Sequence, residues 1–483
     1  MKCALFFVAI VIVAVISGCD AGTPKPAAAV SQPTGWDEDI ALPIPVDLNP
    51  DPNILEIELE AKITNLEFVK GKKTPAWTYN GTVPGPLIRA KVGDKVIVHF
   101  KNSLPDSTSI HWHGLRISND MDGVPGVTQE PIAAGAEFRY EFTVNDAGTF
   151  WYHPHINSAA QVGWGLYGPI VVEDPNDPKE FGDDVVLMFS DISVDDEGQF
   201  HAVDSGGQLG DLFGREGNIL LINGKQFPKL KVRAGKPQRW RVINGARSRY
   251  LSISLRNHRL IKLGGDNGLA ARSQETGKVI IVPGERADIV FTPSDEPGTT
   301  NKLRWRPVER GYGSTFNRPS IDLLSIETID EPAVIPEIIP TNLRTIEPIA
   351  LDNAIEKTLD LTIQLGGKDG VVMGINDIPF SRVVPIEAKI GETHIWTITN
   401  NTDFSHPFHL HGYFFQVLDD GDLSTPRSTG GKVPEWKDTV DIPVGKTVRI
   451  AIKFDERPGG WMYHCHILDH AELGMMGLLH VGQ

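Results

Sequence analysis

The chain repeats itself, and the repeat limits its fold more than any other feature. One copy runs Asn80-Gly81, Gly93, Asn102 and His111, and another runs Asn376, Gly391, Asn400 and His409. Nine residues separate Gly93 from Asn102 and Gly391 from Asn400, and nine more lead to His111 and His409. A middle copy has Asn223-Gly224, Gly235 and Asn244 at the same Gly-to-Asn spacing, but nine residues on stands Ile253. Such self-similarity means one unit used three times, with the middle unit stripped of its metal-type residue. A length of 483 residues suits about three domains, which we place at 51–175, 180–335 and 345–483.

Each unit reads as β-structure. Lys95-Val-Ile-Val-His-Phe100 and Thr447-Val-Arg-Ile-Ala-Ile-Lys-Phe454 alternate apolar and polar side chains. Gly (48) and Pro (35) punctuate such runs, and no long helical periodicity is present. The pattern predicts an all-β fold of antiparallel sandwiches or barrels. A net charge of −16 argues against a nucleic-acid partner, which would need clustered Lys and Arg.

Ten of the 15 histidines fall in four short segments: His111 and His113; His153 and His155; His406, His409 and His411; His464, His466 and His470. The segment Gly148-Thr-Phe-Trp-Tyr-His-Pro-His155 matches Gly459-Gly-Trp-Met-Tyr-His-Cys-His466 in its first Gly, its Tyr and both His. Isolated core or surface histidines do not repeat in this way. On a strand, residues two apart share a face, roughly 6–7 Å from each other. Each His-X-His pair therefore offers two imidazoles to one side. Four pairs, two each from the first and third units, supply eight nitrogens, enough for several metal ions.

The chain has three cysteines, Cys3, Cys19 and Cys465. Cys465 lies between His464 and His466, so its sulfur points to the face opposite theirs and serves a separate metal. Two imidazoles, a thiolate and a weak Met describe a blue-copper site. His406 stands three residues before His409, His470 five after Cys465, and Met475 ten after it. Copper is expected over zinc, because adjacent metal centres wired through a thiolate imply redox chemistry that zinc lacks.

His111-Trp-His-Gly114, Trp151-Tyr-His-Pro-His155, His406-Pro-Phe-His-Leu-His-Gly412 and His464-Cys-His-Ile-Leu-Asp-His470 with Gly474-Met-Met476 resemble the four copper signatures of the multicopper oxidases. The likeness is to the three-domain bacterial laccase-like members, including copper efflux oxidase and spore-coat laccase, and covers about residues 50–483. It implies three cupredoxin-like Greek-key β-barrels, the middle one without copper ligands. It also implies four copper ions. Type 1 is held by His406, Cys465 and His470 with Met475 axial, Met476 being the alternative. Type 2 takes His111 and His409. The type 3 pair takes His113, His153 and His466 on one ion and His155, His411 and His464 on the other.

The implied reaction is one-electron oxidation of a small reducing donor, docked near the edge of His470, coupled to reduction of O2 to water. Asp122 matches the family's acid after the first His pair; the other reading is a turn Asp before Gly. The family's second acid commonly follows the last type 1 His. Ala471 holds that position here, and Glu472, one residue on, either replaces the acid or is surface charge. Asp438 is either a support for the metal ligands or one half of a strand-end salt bridge.

Phenols and aromatic amines are the first expectation for the donor, and metal ions such as Cu(I), Fe(II) or Mn(II) the alternative. The seven Met form no cluster of the cuprous-oxidase kind. Trp77, Trp164 and Trp436 either line a docking surface or belong to the core. A non-catalytic scaffold is disfavoured because every expected ligand is present. A two-domain nitrite reductase is disfavoured by chain length and the eight-His set.

The N-terminus reads as a targeting segment. Lys2 precedes the apolar run Ala4 to Ile16, and Ile16-Ser17-Gly18-Cys19 resembles a bacterial lipobox. Residues 1–18 are thus expected to be a signal peptide, and 19–50 a tether with lipid on Cys19. The protein is expected to be an exported, periplasmic or cell-surface membrane-anchored lipoprotein, and a monomer. Removal of Cys3 and lipidation of Cys19 leave Cys465 as the one free thiol.

Overall fold

The computed structural model describes residues 40–311, 315, 318–335, 338–365, 370–419 and 433–483. The expected signal peptide, Cys19 and most of the tether lie outside them.

Three stretches of chain each build a pair of sheets. In the first, one sheet runs in the order Lys72–Tyr79, Ile54–Val69, Lys95–Asn102, Glu137–Thr143, and the other Ile88–Lys91, Gly168–Glu173, Gly148–His153, His111–His113. The strands between Asp183 and Thr328 form a six- and a five-stranded sheet, and those between Ile355 and Gly482 form two five-stranded sheets. A parallel pairing recurs in all three: Ile54–Val69 with Lys95–Asn102, Asp183–Ile192 with Gln238–Asn244, and Ile355–Leu365 with Thr393–Asn400. Parallel neighbours cannot be joined by a hairpin, so the chain must cross between sheets, which is what closes each pair into a barrel.

The repeated asparagines close these barrels. Asn102 Nδ2 donates to the carbonyls of Asp106 and Ile132, and its Oδ1 accepts from Leu104 N. Asn244 does the same with Arg249, Ile281 and Ala246, and Asn400 with Phe404, Ile442 and Thr402. All three are buried, so a side chain without both donor and acceptor would leave main-chain groups unsatisfied. Asn80, Asn223 and Asn376 all take positive φ (52°, 51° and 57°). The repeat is thus a set of positions where the backbone demands one residue type. At the fourth repeat position, Ile253 is fully buried in the middle core, which shows why that unit has no ligand there.

Each barrel has its own core, centred on Phe100 and Trp112, on Trp240 and Ile289, and on Trp396 and Trp461. A further cluster joins the first two barrels through Trp151, Tyr167, Val186 and Met188, with Leu468 added from the third. The helices are short: α1 (Ser158–Gly163), α2 (Gly207–Phe213) and α3 (Leu468–Glu472). Among the described residues no helix is long and apolar enough to cross a membrane.

Candidate metal centre

Four strands carry the histidine motifs: β1 (His111–His113), β2 (Gly148–His153), β3 (His406–Leu410) and β4 (Gly459–Cys465). β1 pairs with β2 so that His111 faces His153, and β3 pairs with β4 so that His409 faces His464. Alternation then works as expected. Ring centroids lie 5.8 Å apart for His111 and His113, 6.4 Å for His153 and His155, 5.0 Å for His409 and His411, and 5.6 Å for His464 and His466.

The first and third barrels bring these pairs face to face. His111 stacks on His411 and His113 on His409, each at 3.8 Å between centroids. His464 Nε2 lies 3.1 Å from His411 Nε2 and 3.4 Å from His155 Nε2. The donor atoms of His155, His411 and His464 converge as one set, those of His111, His409 and His411 as a second, and those of His111, His113 and His153 as a third. His466 stands beside the third set, its ring 4.9 Å from His113 and 5.6 Å from His153.

The outer nitrogens are fixed by acceptors. The Nδ1–H groups of His111, His153, His409 and His464 donate to the carbonyls of Asp122, Pro154, Asp438 and Cys465 at 2.9–3.0 Å. A carbonyl can only accept, so in each ring the opposite nitrogen keeps its lone pair. Nε2 of His111, His153 and His409, Nδ1 of His113 and both ring nitrogens of His466 are buried without a hydrogen-bond partner. Burial holds His113, His153, His411, His464 and His466 well below the usual imidazole range, and takes His155 to about 3. Neutral imidazoles with inward lone pairs 3.1–3.4 Å apart repel one another unless a cation lies between them. The donor set therefore fits transition-metal ions, and imidazole suits copper.

On the other face of β4, Cys465 Sγ lies 3.5 Å from His406 Nδ1 and 3.7 Å from His470 Nδ1, and those two nitrogens are 3.1 Å apart. The far nitrogens are engaged, His406 Nε2 with Thr402 Oγ1 at 2.7 Å and His470 Nε2 with the Leu212 carbonyl at 3.1 Å. Met475 is fully buried in the same core cluster as Cys465, whereas Met476 opens the next strand and is half-buried. One thiolate and two imidazoles in an apolar enclosure match the soft set expected from sequence.

Asp122 is buried between the two barrels. Its Oδ2 accepts from His411 Nδ1 at 2.9 Å, and Oδ1 lies 3.3 Å from His111 Nδ1. Burial alone would raise this carboxyl, but His411 and His111 hold it far below its ordinary value. Asp438 plays both roles that its sequence allowed. Arg286 grips it at 2.8 and 2.5 Å, and its Oδ1 lies 3.4 Å from His113 Nε2 and 3.5 Å from His409 Nδ1. Glu472 is exposed, and its Oε1 accepts from Ala159 N at the start of α1, 3.2 Å away. It ties the third barrel to the first.

Trp77 and Trp164 pack on each other 4.7 Å apart, Trp77 buried in the first core and Trp164 half-buried against it. Trp436 does line a cleft of about 440 Å3, together with Tyr413, Phe414 and Arg344. Sequence reasoning missed Arg286, Thr402 and Leu212. Thr402 had a signal, two residues after a repeat asparagine. Leu212 had none, since any residue supplies a carbonyl.

Three cupredoxin-like barrels, with a histidine cage between the outer two and a thiolate site beside it, define a copper-dependent oxidoreductase. Profiles described as multicopper oxidase match residues 60–177, 183–300 and 354–483. The chain belongs to the multicopper oxidase family. It is 30% identical to multicopper oxidase mco of Staphylococcus aureus over 88% of both chains. It is 28% identical to a laccase of Bacillus subtilis, over 90% of this chain and 96% of that one. A solved multicopper oxidase from Campylobacter jejuni, described as a metallo-oxidase, superposes with a TM-score of 0.80 at 30% identity, over 92% and 94% of the chains.

Proposed function

We propose that this oxidase works as a laccase-like enzyme with four copper ions. His406, Cys465 and His470, with Met475, would hold the type 1 ion; His111 and His409 the type 2 ion; and His113, His153 and His466, with His155, His411 and His464, the type 3 pair. Bound there, copper supplies one-electron chemistry and the reduction of O2 to water. The observation that carries the reading is the pair of lone-pair clusters on opposite faces of β4. Cys465 is bonded through the main chain to His464 and His466, so one continuous strand links the two sites. The buried carbonyls fix the tautomers of His111, His153, His409 and His464, and Asp122, ionised at rest and accepting from His411 Nδ1, is the acid we propose for passing protons to the cage.

The donors proposed first are phenols and aromatic amines, in line with the laccase relative. One observation favours the second reading, a metal-ion donor: His470 is enclosed and its Nε2 is taken by Leu212. The Campylobacter protein's description as a metallo-oxidase agrees with it.

The further proposals are domain limits at 51–175, 180–335 and 345–483, a monomer, and export with a lipid anchor on Cys19. Loss of the protein from the membrane fraction in Cys19→Ala tests the anchor. The central test is copper counted per chain, with optical and EPR spectra, in the native protein and Cys465→Ser. About four coppers and an intense blue band that the variant lacks are expected, with donor-driven O2 uptake reduced on the order of 1,000-fold or more. Zinc in the sites, or no blue band, would sink the assignment.

A further inference from the structure

One face of the middle barrel carries a charge opposite to the chain's own. Its five-stranded sheet sets Leu251–Leu255 between Thr300–Arg306 and Val279–Ile281. Ile253, Leu255, Leu303 and Trp305 belong to the barrel's core. Alternation therefore turns Ser252, Ser254, Lys302, Arg304 and Arg306 outward. The pairing puts Arg306 and Ile280 on either side of Ser252, and Arg304 beside Ser254. Serine side chains are short, so the middle strand forms the floor of an open trough of about 580 Å3. Arg256, Lys278, Arg304 and Arg306 line it.

Among the described residues, no carboxylate joins these four cations in the lining. In a chain with 62 Asp and Glu against 46 Lys and Arg, composition alone would give the reverse. Arg304 is held by Asp322 at 2.6 Å, and Arg304, Lys302 and Arg256 together keep that carboxyl below its ordinary value. Arg256, Lys278 and Arg306 are exposed and make no ion pair among the described residues. Gathered like charges repel, and an anion that meets them relieves the repulsion.

The cations are spread over a plane. Arg306 and Lys278 flank the middle strand on opposite sides, roughly 10 Å apart at two strand spacings. Lys302 and Arg306 are four residues apart on one strand, roughly 13 Å. A single phosphate meets only part of such a set, and an acidic peptide follows one line through it. A bilayer presents phosphates side by side across the whole area. Ile280, 45% exposed in the same row as Ser252 and Arg306, supplies an apolar side chain that reaches beneath headgroups.

We propose that this face docks on an anionic phospholipid surface, with the free guanidinium and ammonium groups of Arg256, Lys278 and Arg306 taking lipid phosphates. The contact needs neither the copper ligands nor acyl chains on Cys19. It fixes which side of the molecule meets a membrane.

The experiment sediments copper-loaded full-length protein with vesicles of phosphatidylcholine alone, or of phosphatidylcholine mixed with phosphatidylglycerol. Native protein is compared with a patch variant, Arg256→Ser with Lys278→Ser and Arg306→Ser. A charge control, Lys70→Ser with Lys179→Ser and Lys446→Ser, loses the same three charges at exposed positions elsewhere. Comparing the two vesicle types cancels any binding through the apolar N-terminus. Native protein should bind the mixed vesicles about tenfold or more tightly than the neutral ones at low salt, at about fivefold per cation. That preference should shrink as salt rises. The patch variant should lose it while keeping the native melting temperature and copper content, and the control should retain most of it. Equal losses in both variants would reduce the effect to net charge and overturn the docking face. No preference for phosphatidylglycerol in native protein would overturn the membrane. If, in that case, inorganic phosphate raises the melting temperature of native protein and not of the patch variant, the trough is a site for free phosphate instead.

Discussion

At the scale of single residues, Asp441 offers a test that does not touch the ligands. Burial pushes its carboxyl up to about 7, and Tyr250 Oη donates to it at 2.8 Å. The folded state therefore holds this proton more tightly than the unfolded chain, whose carboxyl titrates near 3.9. The resulting stability is complete below about pH 4 and is lost as pH rises to about 7. Asp441→Asn cannot ionise, so urea melts from pH 4 to 7 should show native stability falling by a few kcal/mol, at most about 4, relative to the variant. Glu472→Gln keeps an acceptor for Ala159 N and should cost at most about 1 kcal/mol through the weakened contact at α1, leaving kcat within about twofold; a tenfold fall in kcat would return it to the proton path. The ligands were legible in the sequence because coordination demands particular side chains at fixed spacings. The groups that orient them were less so: Asp122 and Asp438 each had two readings until His411 and Arg286 were seen against them. The Leu212 carbonyl could not be read at all.

At the scale of elements, β-alternation decided the site. It set the cage histidines on one face of β4 and Cys465 on the other, which the spacing alone predicted. It did not predict the turn before Arg286–Phe291, where Gly284 from the middle barrel approaches the cage. Gly284 has φ of 85°, and a Cβ there would lie 2.6 Å from His466 Cδ2. Gly284→Ala should therefore displace that imidazole, and a shift near 1 Å costs on the order of 100-fold in rate. Copper per chain, the EPR spectrum and O2 uptake report it. The repeat hid this contact because the middle unit keeps no ligand, and sequence gives no sign that a ligand-free barrel supports a neighbour's histidine.

At the scale of the whole molecule, one guanidinium joins all three barrels. Arg286 is fully buried and donates to Thr149 O in the first, to Gly284 O and Asp266 O in its own, and to Asp438 in the third. Arg286→Met would strand the Asp438 carboxylate beside His113 and His409, at a cost of about 3–5 kcal/mol in denaturant melts. Arg286→Lys should recover little, because an ammonium cannot repeat the bidentate grip. The three-barrel plan was visible in the repeat, since each barrel needs its own closing asparagine. The way the barrels dock was not, because it rests on single buried contacts with no period.

The cage takes half its imidazoles from residues 111–155 and half from 409–466. A ribosome must therefore finish nearly the whole polypeptide before any oxygen-reducing centre can exist. A product that stops short of the third barrel, however well its first barrel folds, carries two of the four histidine pairs and lacks Cys465. Chain order thus keeps the oxygen-reducing cage from forming on any N-terminal fragment.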